Sequence, residues 1–151
     1  MYKFEMEMSN YSMEVLTKHQ NMDRVMAFVE LCVVGIGNPR DAKQLTLVGE
    51  ELAFNIFSYA YGGDLGTFTL KVRLCPFENK VTMEFRDEGK PFNPLEQPPP
   101  ELDLDIADRE IGGLGITLSK QLTDKQAYKY ENGQNVLLVE KIIKSTKVTQ
   151  T

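Results

Sequence analysis

Two helical patterns stand back to back near the start of this chain, and that order restricts the fold more than any other feature. In residues 21–35, Val25, Phe28, Val29, Leu31 and Cys32 recur at helical spacing, and Gly35 and Gly37 supply stop signals. Asn38-Pro39 opens a second helix, from residue 39 to about 61, because asparagine is a good N-cap and proline suits the first helical position. Gly62-Gly63 ends it. Residues 11–16, short and partly alternating, read as a strand before the helices. After them, 67–74 alternate and 81–85 carry β-branched and aromatic residues, joined by a turn at 76–79. Residues from 112 to about 122 read as a third helix, and Asn132-Gly133 is a hairpin turn joining 126–130 to 135–143. A doubly wound sheet would alternate strand and helix. Helices in succession, followed by hairpins, predict an α/β (α+β) two-layer sandwich with a mixed, largely antiparallel sheet and helices on one face.

The 151 residues suit a single domain over 1–151, long enough to bury roughly 70% of the surface the unfolded chain exposes. No apolar run approaches the ~20 residues of a membrane helix, and the acidic residues near the amino terminus do not suit a secretory signal. The expectation is a soluble, cytoplasmic protein without a membrane partner. A formal charge of −5 argues against a nucleic-acid partner, whose phosphates demand Lys and Arg. The single histidine, His19, excludes a multi-histidine metal site and reads as a solvated residue near a helix start. Cys32 and Cys75 have no metal-ligand spacing and read as buried thiols.

Chemistry concentrates in two places. On the second helix Glu51 and Asn55 lie four residues apart and share a face, whereas Glu50 points about 140° away. An asparagine among large apolar neighbours must reach a polar partner, since leaving it unsatisfied costs ~1–3 kcal/mol. The second place runs from Asp87-Glu88-Gly89-Lys90-Pro91-Phe92-Asn93-Pro94 to Gly112-Gly113-Leu114-Gly115. Here an acid ends a strand, where it can accept a hydrogen bond from a base edge, and a glycine cluster opens a helix, where free N–H groups face an anion. Between them, residues of about 88–111 show no apolar period, which is the length and character of a lid. The last residues, about 145–151, look like a disordered tail.

These motifs, in this order, resemble the GHKL (histidine kinase-like) ATPase superfamily and its Bergerat ATP-binding fold. Within it they resemble the stand-alone anti-sigma factor serine/threonine-protein kinases, over essentially the whole chain. The resemblance implies ATP and Mg²⁺ as cofactors, with Asn55 as the metal ligand, Asp87 reading the adenine amino group, and Gly89 letting the backbone approach the base. Gly112, Gly113 and Gly115 would hold the phosphates, with Phe92 and Leu114 completing the nucleotide-binding set. Glu51 would be the catalytic base on an incoming hydroxyl. The implied partners are a STAS-like anti-sigma antagonist as substrate and a sigma factor, and the implied assembly is a homodimer.

Three residues or segments depart from that pattern. Tyr59 stands where relatives often carry histidine, one turn after Asn55. The lid, Pro98-Pro99-Pro100-Glu101-Leu102-Asp103-Leu104-Asp105, offers phosphate little positive charge beyond Arg109 and Lys90. Gln134-Asn135 replaces a small residue and a threonine often found beside the adenine. The leading expectation is a kinase; the alternative is a non-catalytic switch in which ATP or ADP sets partner choice.

Overall fold

The computed structural model describes residues 8–96 and 113–144. Strand β1 (Ser9–Leu16) leads into helix α1 (Asn21–Val33) and helix α2 (Pro39–Tyr59), followed by strands β2 (Thr67–Cys75) and β3 (Lys80–Asp87). Helix α3 (Gly113–Leu122) and the hairpin of β4 (Lys125–Glu131) and β5 (Gln134–Ile142) complete the order. The start of α2 is built as its sequence implies: Asn38 is extended, its side chain accepts from Asp41 N–H, and Pro39 occupies the first turn. α1 ends at Val33, two residues short of the expected end, and α2 stops at Tyr59 with Ala60 as its cap. Tyr61 leaves the helix because its hydroxyl is used elsewhere, donating to Thr67 O and accepting from Glu88 N–H.

The sheet order is β1-β2-β3-β5-β4. Both positions of the Asn132-Gly133 turn have positive φ, the conformation that matches hairpin twist. All four pairings are antiparallel. The expected sheet was mixed but largely antiparallel; among the described residues every pair is antiparallel, and the reason is the hairpin. β3 and β4 run the same way, but β5 folds back between them and separates the two strands that could have paired in parallel.

Burial alternates along β3, so one sheet face meets the helices and the other meets water. Val25 and Val29 of α1, Leu45, Val48 and Leu52 of α2, and Phe68, Leu70, Val72, Met83, Phe85 and Val139 of the sheet form one core. Phe68 and Phe85 are fully buried, each contributing roughly 1.5–3 kcal/mol relative to exposure. Phe57 of α2 meets Phe68 edge to face at 5.3 Å between centroids, tying the helix layer to the sheet. The outer face carries ion pairs such as Arg86–Glu84 at 2.8 Å, which keep it solvated and add little stability. Cys32 and Cys75 are free and buried, and burial pushes the Cys32 thiol up to about 11, which leaves it inert. His19 is exposed. No described helix is long and apolar enough to cross a membrane.

Candidate nucleotide site

One end of the sheet collects the singled-out residues. β3 ends at Asp87, which pairs in register with Asn135 near the start of β5. The second half of α2 and the first turn of α3 lie over the same end, since Gly115 meets Glu51 and Gly89 meets Ala60.

Glu51 is half-buried while Glu50 is exposed, so the helix directs one carboxylate inward and the other to water. A Cβ on Gly115 would lie 2.5 Å from Glu51 Oε2 and 3.2 Å from Glu51 Cβ. Glycine here serves close approach, letting the carboxylate rest against the opening of α3. Burial, and then the charge of Glu50, raise the Glu51 carboxyl above its ordinary value, which makes it a better proton acceptor once ionised. Asn55 lies one turn further along α2. Its Oδ1 is buried and accepts no hydrogen bond from the described residues, while the residue is engaged through other interactions. Tyr59, one turn beyond, is largely exposed.

Asp87 is buried, and its Oδ1 accepts from Gly89 N–H and from Asn135 Nδ2, both at 2.9 Å. Burial outweighs these two hydrogen bonds and raises its carboxyl above the ordinary value. A Cβ on Gly89 would sit 2.1 Å from Ala60 O, so this glycine lets the end of β3 pack against the end of α2. Its small size thus already has a cause within the protein. Phe92 keeps its ring exposed while its N–H is shared between Asn135 Oδ1, at 3.0 Å, and the Tyr128 hydroxyl, at 3.1 Å. Gly113 and Leu114 form the first turn of α3 with Gly115. Gly112, Arg109 and most of the expected lid lie outside the described residues, as does the 145–151 tail.

Sequence reasoning passed over two residues that organise this end, Tyr128 and Tyr61, and noted Asn135 only as a departure beside the adenine. Asn135 had a legible signal. It alternates with Leu137 and Val139 on the inner face of β5, and a buried amide on an apolar face must be hydrogen-bonded. The hydroxyl contacts of Tyr61 and Tyr128 depend on loop paths that no periodicity predicts.

Over residues 17–141 the sequence matches the family described as the histidine kinase-like ATPase domain. The chain belongs to that family. Compared with curated proteins, it matches none. Membership of the histidine kinase-like ATPase domain family places the chain in the GHKL superfamily, and the α+β fold with its antiparallel sheet agrees with it. It makes the end of the sheet holding Asp87, Asn55 and Gly115 the candidate site for ATP. Among the described residues no group of three or more His, Cys, Asp or Glu could hold a metal ion by itself. A Mg²⁺ ion accepts few protein ligands when phosphate oxygens and water supply the rest, and the buried carboxamide oxygen of Asn55 is a hard donor of the right kind. The residues present therefore fit a nucleotide-bound Mg²⁺.

Proposed function

We propose that this histidine kinase-like ATPase domain is a serine/threonine-protein kinase acting as an anti-sigma factor, with a STAS-type anti-sigma antagonist as its substrate. The observation that supports transfer is the Glu51 carboxylate lying against Gly115 at the opening of α3, one helical turn from Asn55. Asp87 would accept from the adenine amino group, and the first turn of α3 would face the phosphates with its free N–H groups. Asn55 would hold Mg²⁺, which when bound neutralises charge on the phosphate oxygens. Glu51 would take the proton from the substrate hydroxyl as its oxygen bonds to the γ-phosphorus and the β–γ bridging P–O bond breaks, releasing ADP. Burial around Glu51 favours this proton transfer. Sigma-factor binding and a homodimeric assembly belong to the same proposal and rest on the family resemblance, and a cytoplasmic location is proposed with them.

The test incubates the chain with labelled ATP, Mg²⁺ and a STAS-type antagonist. Label should pass to a serine or threonine of the antagonist, and Glu51→Gln should slow transfer by roughly 10²–10⁴-fold while partner binding persists. A folded wild type that binds the antagonist and transfers nothing would favour the non-catalytic switch.

A further inference from the structure

The hydrogen bonds around Asp87 converge on one side chain. Asn135 is 6% exposed; its Nδ2 donates to Asp87 Oδ1 and Lys90 O, both at 2.9 Å, and lies 3.3 Å from Gly89 O. Its Oδ1 accepts from Phe92 N–H and from the Tyr128 hydroxyl. A carboxamide has two N–H donors and two oxygen lone pairs, so these contacts occupy both ends and leave no capacity for a ligand. Meanwhile both donors to Asp87 use the same oxygen, Oδ1. Among the described residues, Oδ2 is the carboxylate's remaining acceptor.

We propose that Asn135 is a positioning residue that sets nucleotide selectivity. It fixes the plane of the Asp87 carboxylate through Oδ1 and clamps the chain from Gly89 to Phe92, so that Oδ2 presents an acceptor to the purine edge. An acceptor held in place binds an amino group and rejects a carbonyl, and a polar group committed in this way discriminates more strongly than shape alone. Tyr128 supports the arrangement by bonding both Asn135 and Phe92. The proposal rests on the reading that Asp87 faces the base of ATP.

Titration calorimetry of the whole chain with ATP and with inosine triphosphate, which carries a carbonyl in place of the adenine amino group, tests it. Wild type should bind ATP at least roughly tenfold tighter than the inosine nucleotide. Asn135→Ala should bring the two affinities within about threefold, by weakening ATP and leaving the inosine nucleotide unchanged. Tyr128→Phe removes a single hydroxyl and should lower the ratio about two- to fivefold, which keeps the test open if the alanine variant fails to fold. An unchanged ratio in both variants overturns the role of Asn135 while the ATP site stands. Equal weakening of both nucleotides in both variants makes Asn135 a structural residue only and also overturns it. Folded wild type that binds neither nucleotide overturns the ATP reading itself, and this proposal with it.

Discussion

Two buried aspartates sit at opposite ends of the same helix–sheet sandwich, and their surroundings differ in kind. Asp41, in the first turn of α2, meets charge: Lys141 Nζ lies 3.7 Å from its Oδ1, and Lys144 N–H donates to Oδ2 at 2.9 Å. Lys141 also donates to Leu122 O at 2.7 Å, closing the end of α3, and Asn38 Nδ2 donates to Lys144 O at 2.7 Å. Both carboxylate oxygens are engaged, and three elements are fastened together. Among the described residues Asp87 meets only neutral donors, and both act on one oxygen. A buried acid with a cation and both oxygens engaged is a fastening. A buried acid with neutral partners and an unused oxygen is suited to reading a ligand. A polar cleft of about 300 Å³ opens beside Arg40, Gln44 and Lys144 at the Asp41 end.

The comparison makes its largest demand on Asp41. Asp41→Ala leaves Lys141 buried without its counter-charge and Lys144 N–H without an acceptor, so it should cost about 3–5 kcal/mol of stability in chemical denaturation. ATP affinity of the remaining folded protein should be unchanged. A loss of affinity measured well inside the folded baseline would break the division between the two ends.

Asp87→Asn comes next. It is isosteric and keeps an acceptor for Gly89 and Asn135, but it can place an N–H where Oδ2 stood. ATP affinity should fall roughly 100-fold, about 2.7 kcal/mol, with little loss of stability because a desolvated charge is removed. Calorimetric affinity within threefold of wild type would show that Asp87 is a fastening like Asp41 after all.

Gly89 and Gly115 sharpen the same end by smaller effects. Gly89→Ala puts Cβ against a backbone carbonyl, Ala60 O, which cannot swing aside, so a loss of about 1–3 kcal/mol is expected from the thermal midpoint. Gly115→Ala meets chiefly the flexible end of Glu51, with a tight 3.2 Å approach to its Cβ that a gain in helix propensity of about 1 kcal/mol offsets, so stability should change little while phosphate transfer drops. Equal destabilisation by the two would mean that Glu51 is as rigidly held as the backbone.

Much of this fold was legible because periodicity and punctuation agree. Asn38-Pro39 starts α2, Asn132-Gly133 turns the last hairpin, and the order of helices and strands follows from spacing alone. The inner position of Glu51 relative to Glu50 is equally a matter of helical geometry. What spacing does not encode is convergence in space. That Gly89 fits beneath Ala60 O, that Tyr61 joins Thr67 to Glu88, and that β5 inserts between β3 and β4 all depend on tertiary paths. Asn135 lies between these cases: its inward, apolar-flanked position marks it as a hydrogen-bonded residue, but only the folded chain identifies Asp87 and Phe92 as its partners.

The smallest expected effect is a dependence on pH that runs in opposite directions for stability and for binding. Burial raises the Asp87 carboxyl above its ordinary value, so the folded state holds its proton more tightly than the unfolded state does. Its contribution to stability is therefore fully present below the unfolded value and is lost as pH rises through the folded one, by less than about 1.4 kcal/mol for each pH unit. Glu51 is raised and acts in the same sense, whereas the Glu84 carboxyl, lowered chiefly by its hydrogen bond from Arg86, acts in the opposite one. Subtracting the Asp87→Asn stability curve from that of wild type isolates the Asp87 part, which should decline with rising pH across the carboxylate range. ATP affinity of wild type should do the reverse and strengthen over the same interval, because an ionised Asp87 accepts a hydrogen bond at Oδ2 and a protonated one offers a donor there. If the two curves instead rise together, the carboxylate is stabilised by its surroundings in the manner of a fastening, and the distinction between the two ends of the sheet fails.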